Sequence, residues 1–204
     1  MRAPVKLYLA SSNPGKFGEY RVLAATTAPS LPFELGVLPG FDELPAFEES
    51  APTFAENAAG KALHYSRLQD GMVFADDSGL VVPALGGAPG VHSARYAGLQ
   101  ATNAQRIEKL LGQMQGKTGN ERAAYFVCAI ALVEKGRAIA VVTDRVDGKI
   151  LESPLGAGGF GYDPVFYFPA LKKTLAELSA EGKNQFSHRG KAFRRLLPAL
   201  STML

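Results

Sequence analysis

Residues 123–146 read AAYFVCAIALVEKGRAIAVVTDRV. Ala123 to Val133 and Ala138 to Val146 are apolar and rich in β-branched and aromatic residues, and Glu134-Lys135-Gly136-Arg137 between them is a short connection containing glycine. Such a pattern predicts two strands paired as an antiparallel hairpin. The rest of the chain interleaves strand-like and helix-like stretches, so the class is α/β with a mixed sheet.

Upstream of the hairpin, Val5 to Ala10 reads as a strand, followed by the turn-rich Ser11-Ser12-Asn13-Pro14-Gly15-Lys16 and a helix through Ala25. Thr53-Phe54-Ala55-Glu56, after Pro52, has the form of a capping box and opens a second helix predicted to run to Gln69. Met72 to Ala75 is strand-like. Thr102 with Gln105 opens a third helix, whose stripe of Ile107, Leu110, Leu111 and Met114 has core spacing. Downstream, Thr174 with Glu177 opens a short helix. Ser187 opens the last one, with Phe193, Leu196, Leu197 and Leu200 on its apolar face.

The chain has 204 residues, 47% hydrophobic and 20% charged, with no repeat, linker or low-complexity tract. Residues 1–204 are therefore expected to form one domain with a sizeable core. A net charge of +3, scattered rather than blocked, suits a small anion but does not mark a nucleic-acid surface. Cys128, the sole cysteine, lies within an apolar run and reads as a packed small hydrophobe, which leaves no disulfide and no cysteine-based zinc site. MRAPVKLYLA has no signal-peptide pattern, and no apolar run approaches the roughly 18–20 residues needed to cross a bilayer. A cytoplasmic protein without a membrane partner is expected.

Polar chemistry gathers at four places. SSNPGK, residues 11–16, places a tight loop and Lys16 at a helix start, a form suited to cradling phosphate, although the P-loop glycine and Ser/Thr are missing. Glu48 and Glu49 precede the second helix, on which Asn57 and Lys61 share a face one turn apart. The third is DDSG at residues 76–79. Side chains at a strand end alternate, so Asp76 and Asp77 can serve different surroundings, one bracing a loop and one facing a cleft; a simple turn is the alternative. Gly79, Gly86, Gly87 and Gly90 follow and would let a ligand approach the backbone. The fourth pairs GAGGFGYDPVF, residues 156–166, with KNQFSHRGKA, residues 183–192. Phe160 and Tyr162 offer faces on which a base could stack, at roughly 1–3 kcal/mol. His188 and Arg189 put positive charge at a helix start, a conflict of about 0.3–1 kcal/mol that an anion or carbonyl would remove.

In this order SSNPGK, FEES with TFAENAAGKA, ADDSGLVVPALGGAPGVHSARYAG, GGFGYDPVF and KNQFSHRGKA closely resemble the inosine triphosphate pyrophosphatase family, in particular its bacterial members that act on dITP and XTP. The likeness runs from Leu9 to about Leu197. It implies an elongated mixed sheet flanked by helices, two lobes with a central cleft, and a homodimer. It also implies Mg²⁺-dependent hydrolysis of dITP, ITP and XTP to the monophosphate and pyrophosphate. Transferred residue by residue, Ser11, Ser12, Asn13, Pro14, Gly15 and Lys16 would hold the triphosphate together with Lys61. Asp77 would be the catalytic carboxylate and a metal ligand beside Glu48, with Glu49 and Asp76 as further metal candidates. Ser78, Phe160, Gly161, Tyr162 and Asp163 would frame the nucleotide, and Lys183, His188 and Arg189 would contact base and phosphate. His92 departs from a common tyrosine and Gly182 from a common acidic residue. The rivals are a related pyrophosphatase for other modified nucleotides and, more remotely, a nucleic-acid-binding module.

Overall fold

The computed structural model describes residues 4–204, so Met1 to Ala3, the start of the segment read above for a signal peptide, lie outside it. The elements are β1 (Val5–Leu9), α1 (Pro14–Thr27), β2 (Phe33–Val37), α2 (Phe54–Ser66), β3 (Met72–Val81), α3 (Asn103–Gln113), β4 (Ala123–Glu134), β5 (Arg137–Ile150), β6 (Phe166–Phe168), β7 (Lys173–Thr174), α4 (Ala180–Phe186) and α5 (His188–Met203). They build one seven-stranded sheet in the order β2-β1-β3-β4-β5-β6-β7. β1 is parallel to β2 and β3, and all pairs from β3 to β7 are antiparallel.

The expected hairpin is β4–β5, longer than its apolar runs because the ladder continues to Lys149 opposite Ala123. Its turn is Lys135-Gly136, both with positive φ, as a tight hairpin turn requires. Helix starts follow the capping residues. Thr53 Oγ1 accepts the Glu56 N–H, Thr102 and Gln105 form the reciprocal box, and Ser187 Oγ accepts from Gly190. β2, β6, β7 and α4 were not anticipated: the strands are short, and α4, AEGKNQF, carries a glycine and little apolar surface.

DDSG is not a turn. β3 runs straight through it, with Asp76 opposite Ile130 and Asp77 opposite Ala129 of β4. A full ladder outweighs the turn preference of these residues. The two-residue period then sends Met72, Phe74 and Asp76 to one face and Val73, Ala75 and Asp77 to the other. On the first face Met72 and Phe74 pack with Tyr20 and Leu23 of α1 and Phe193, Leu196 and Leu200 of α5. Tyr20 meets Phe74 edge-on at 5.0 Å, a pairing worth about 0.5–1.5 kcal/mol beyond burial. On the second face Val73 and Ala75 pack with Ala58, Ala62 and Tyr65 of α2. Further along the same long strands a separate cluster begins at Leu80 and includes Ile107, Phe126, Val146, Ile150 and Phe166. The polar residues of β3 therefore fall where one apolar cluster gives way to the next.

Candidate active site

A cavity of about 660 Å³ opens at that junction. Its walls come from the loop at Ser11–Lys16, from Glu49, from Lys61 on α2, from Asp77 and Ser78 on β3, from Phe160–Asp163, and from Lys183, His188 and Arg189. Nearly all the site residues expected from sequence are thus brought together. Two carboxylates are not. Glu48 is exposed and outside the lining, whereas Glu49 lines the cavity and forms an ion pair with Lys61. Asp76 also does not line it, because it is fully buried beneath Lys16 and Arg189, which do.

Asp76 is fully buried between α1 and α5. Lys16 Nζ lies 2.9 Å from its Oδ1, and Arg189 donates from Nε and Nη2 to its Oδ2, both at 3.1 Å. Burial alone would raise the Asp76 pKa, but Lys16 and Arg189 outweigh it and hold the group well below the usual carboxylate range. Arg189 also donates to Ser78 Oγ at 2.8 Å and pairs with Glu19, which pairs in turn with Lys183, and Lys183 with Asp163. Charges alternate along this buried chain from Lys16 to Asp163. Asp163 Oδ2 then accepts the Phe160 N–H at 2.8 Å and fixes the loop carrying that ring. Lys183 sits 4.7 Å from the Phe160 ring centre. The conflict expected at the start of α5 is resolved inside the protein: Asp76 and Glu19 neutralise Arg189, while burial and the charges of Arg189 and Lys183 push His188 well below its ordinary pKa, so it is neutral. The His188 ring stacks on Phe126 at 4.7 Å and 10°, and among the described residues its Nδ1 has no partner.

Asp77 has the opposite surroundings. Its Oδ1 accepts the Ser78 N–H at 2.9 Å, and its Oδ2 accepts from Asn57 Nδ2 at 3.0 Å. No cation touches it within ion-pair distance among the described residues. Burial and then the charge of Glu49 push its pKa up to about 6, against lesser pulls from Lys16, Asn57 and Lys61. In the Ser11–Lys16 loop Asn13 Oδ1 accepts from the Gly15 and Lys16 N–H groups at 2.9 and 3.2 Å, so those donors are capped in this structure. Gly15 is required by space: a Cβ there would lie 2.9 Å from Phe160. Gly79 lines the cavity, while the space a Cβ would take is filled by Ser93 Oγ and the Gly90 carbonyl, at 2.4 and 2.6 Å from where that Cβ would stand. His92 is exposed and outside the cavity.

The sequence reading missed Glu19. The signal was present, since Glu19 follows Lys16 by three positions on α1 and shares its face. It also left Arg95, Asn103 and Arg106 unassigned. Arg95 Nη2 donates to the Glu49 carbonyl at 2.7 Å, and Asn103 and Arg106 line the far wall.

The sequence profile of the Ham1 family matches residues 7–199. The chain belongs to the Ham1 family. A dITP/XTP pyrophosphatase of Geobacillus kaustophilus is 49% identical over 191 residues, covering 94% of this chain and 92% of that protein. One from Acidobacterium capsulatum is 47% identical over 203 residues, covering 95% and 97%. A solved Ham1 protein from Coxiella burnetii superposes with a TM-score of 0.85 at 39% identity, over 97% of this chain and 99% of that one. The family membership read from the five motifs and the mixed α/β fold are both borne out. Within the Ham1 fold of this chain, β3 supplies both the buried brace, Asp76, and the cavity carboxylate, Asp77.

Proposed function

We propose that this chain hydrolyses deaminated purine nucleoside triphosphates, dITP, ITP and XTP, to the monophosphate and pyrophosphate. The observation that carries the proposal is Asp77: a buried carboxylate without a cation partner among the described residues, poised near pH 6, in a cavity that also holds Lys16 and Lys61. A carboxylate so poised takes the proton of a water attacking the α-phosphorus. The water oxygen bonds to phosphorus as the bond to the bridging oxygen breaks, and pyrophosphate leaves with the electron pair. Lys16 and Lys61 face the charge that develops on the phosphates. Each is held by a protein carboxylate, Asp76 or Glu49, which keeps it oriented.

The family resemblance also brings Mg²⁺. The residues fit it. Among the described residues no group of three acidic, histidine or cysteine side chains converges, but Glu49 and Asp77 place two hard oxygen donors in one cavity, close enough for the charge of Glu49 to raise Asp77. Mg²⁺ is commonly held by one or two carboxylates plus substrate phosphates. Glu49 and Asp77, rather than Glu48 or Asp76, would hold it, and the ion would supply Lewis-acid charge neutralisation on the triphosphate. For the base, Phe160 offers a stacking face and the neutral His188 ring lines the same cavity, its Nδ1 buried and without a partner among the described residues. Arg189 is largely committed to Asp76, Glu19 and Ser78, so it reaches a ligand with few remaining donors.

The same reading includes a homodimer, implied by the family resemblance, and a cytoplasmic setting beside the nucleotide pool. Among the described residues no helix is long and apolar enough to cross a membrane. Light scattering tests the dimer. The decisive experiment is pyrophosphate release from dITP, XTP, dGTP, dATP and dUTP, with and without Mg²⁺. Preference for dITP and XTP, lost without Mg²⁺, is expected. Preference for dATP or dUTP would overturn the substrate class, and release of orthophosphate alone would overturn the reaction.

A further inference from the structure

One side chain that takes no part in the chemistry above links the Asp77 carboxylate to the backbone of the loop that carries Glu49. Asn57, on the first turns of α2, is fully buried. Its Oδ1 accepts the Ala51 N–H at 2.9 Å, while its Nδ2 donates to Asp77 Oδ2 at 3.0 Å and to the Ala51 carbonyl at 3.3 Å. Ala51 lies two residues beyond Glu49, whose own carbonyl is held by Arg95. The segment carrying Glu49 is therefore fastened to β3 through a single amide.

The chemistry of that amide is specific. One acceptor and two donors lie in one plane, as needed to satisfy both backbone groups of Ala51 and still reach a carboxylate. Aspartate would keep the acceptor and lose the donors, and alanine would lose both. Ser78 N–H fixes one Asp77 oxygen and Asn57 the other, so the carboxylate cannot turn freely about its last torsion.

We propose that Asn57 is a positioning residue that sets Glu49 and Asp77 at the separation and orientation at which they hold a divalent cation. The inference rests on the functional reading above. Residues that orient a metal's ligands typically change metal affinity about 10–100-fold when replaced.

The test uses the full chain as wild type, Asn57→Ala and Asn57→Asp. Mn²⁺ binding is measured by the electron paramagnetic resonance signal of the free ion, and kcat and KM are measured for dITP. Asn57→Ala is expected to weaken Mn²⁺ binding by about 10–100-fold and to lower kcat by at least about tenfold, with KM for dITP within about threefold. Asn57→Asp retains the acceptor for the Ala51 N–H, and so part of the loop's anchoring, while it loses the bond to Asp77. Its kcat is expected to fall at least about tenfold as well. If Asn57→Ala does not fold, the Asn57→Asp kcat decides. A lower melting temperature with Mn²⁺ affinity and kcat within about threefold of wild type would mean a purely structural role and overturn the proposal. Failure of the functional reading looks different: wild type would bind Mn²⁺ yet release no pyrophosphate from dITP, and the Mn²⁺ comparison would still decide the role of Asn57.

Discussion

On the face of β3 covered by α1 and α5, Asp76 meets Lys16 at 2.9 Å and Arg189 at 3.1 Å, whereas Asp77, one residue on, meets on the other face an amide, a backbone N–H and the charge of Glu49, which with burial outweighs the more distant Lys16 and Lys61. The strand and the residue type are the same and both side chains are buried, yet the electrostatic outcomes are opposite. Asp76 is held well below the usual carboxylate range, and Asp77 is pushed up to about 6. The difference comes from what each helix brings. α1 and α5 carry Lys16 and Arg189 to Asp76, while Lys61 of α2 is engaged by Glu49. A charge satisfied within the protein stabilises the fold; a charge left unsatisfied is available to a ligand.

The largest test of that contrast is Asp77→Asn. Removing the proton acceptor should lower dITP hydrolysis by about 10³-fold, within the range usual for general-base catalysis. A loss smaller than tenfold would mean that Asp77 is not the catalytic carboxylate. Asp76→Asn should fail differently, through stability. It removes one of the two carboxylates that compensate Arg189, which is 1% exposed, and breaking a buried pair costs about 3–5 kcal/mol. For a chain of this size that lowers the melting temperature by about 10 °C, measurable by calorimetry. Should Asp76→Asn melt like wild type, the contrast between the two faces would not hold.

How far this contrast was legible in the sequence depends on the kind of information involved. The hairpin, the helix starts at Thr53, Thr102 and Ser187, and the separation of Asp76 from Asp77 follow from local rules of period and capping, and all appear in the structure. The continuation of β3 through DDSG was hidden, because turn-forming residues were placed in a strand by pairing with β4, a partner some 50 residues away. The choice between Glu48 and Glu49 was hidden for a related reason. Neighbouring side chains in an irregular loop diverge, and only the position of Lys61 shows which one turns inward. The ion chain through Glu19 links α1, α4 and α5, a convergence that no local window contains.

A pH series gives the two aspartates opposite signatures. The folded-state pKa of Asp77, about 6, lies above its unfolded value near 3.8, so the folded protein binds the proton more tightly and metal-free stability falls as pH rises between those values. The loss reaches about 3 kcal/mol at most, and Asp77→Asn should recover it above pH 6 and not at pH 4. Asp76 is depressed, so its contribution is present above its unfolded pKa near 3.8 and disappears only as pH falls through its lower folded value. The deficit of Asp76→Asn should therefore persist from neutral pH down to about pH 4 and close below it. Melting curves in chelator across this range read both. An Asp77→Asn advantage of equal size at pH 4 and pH 8 would show that its carboxylate is not raised.

The smallest expected effect tests which contacts make the Asp77 side adjustable. A Cβ on Gly60 of α2 would lie 2.6 Å from Phe47 Cζ, the far end of a half-buried ring in the loop that carries Glu49. Alanine in a helix interior is favoured over glycine by about 0.5–1 kcal/mol, which offsets much of the cost of moving that ring. Gly60→Ala should then melt within about 3 °C of wild type. Its effect on kcat discriminates between two ways of holding Glu49. If Asn57 and Arg95 fix the segment through its backbone, Phe47 can swing without moving the carboxylate, and kcat changes by less than about threefold. A drop beyond tenfold would mean that apolar packing of Phe47 on α2 sets the Glu49 position, and the Asp77 face would then depend on packing as much as the Asp76 face does.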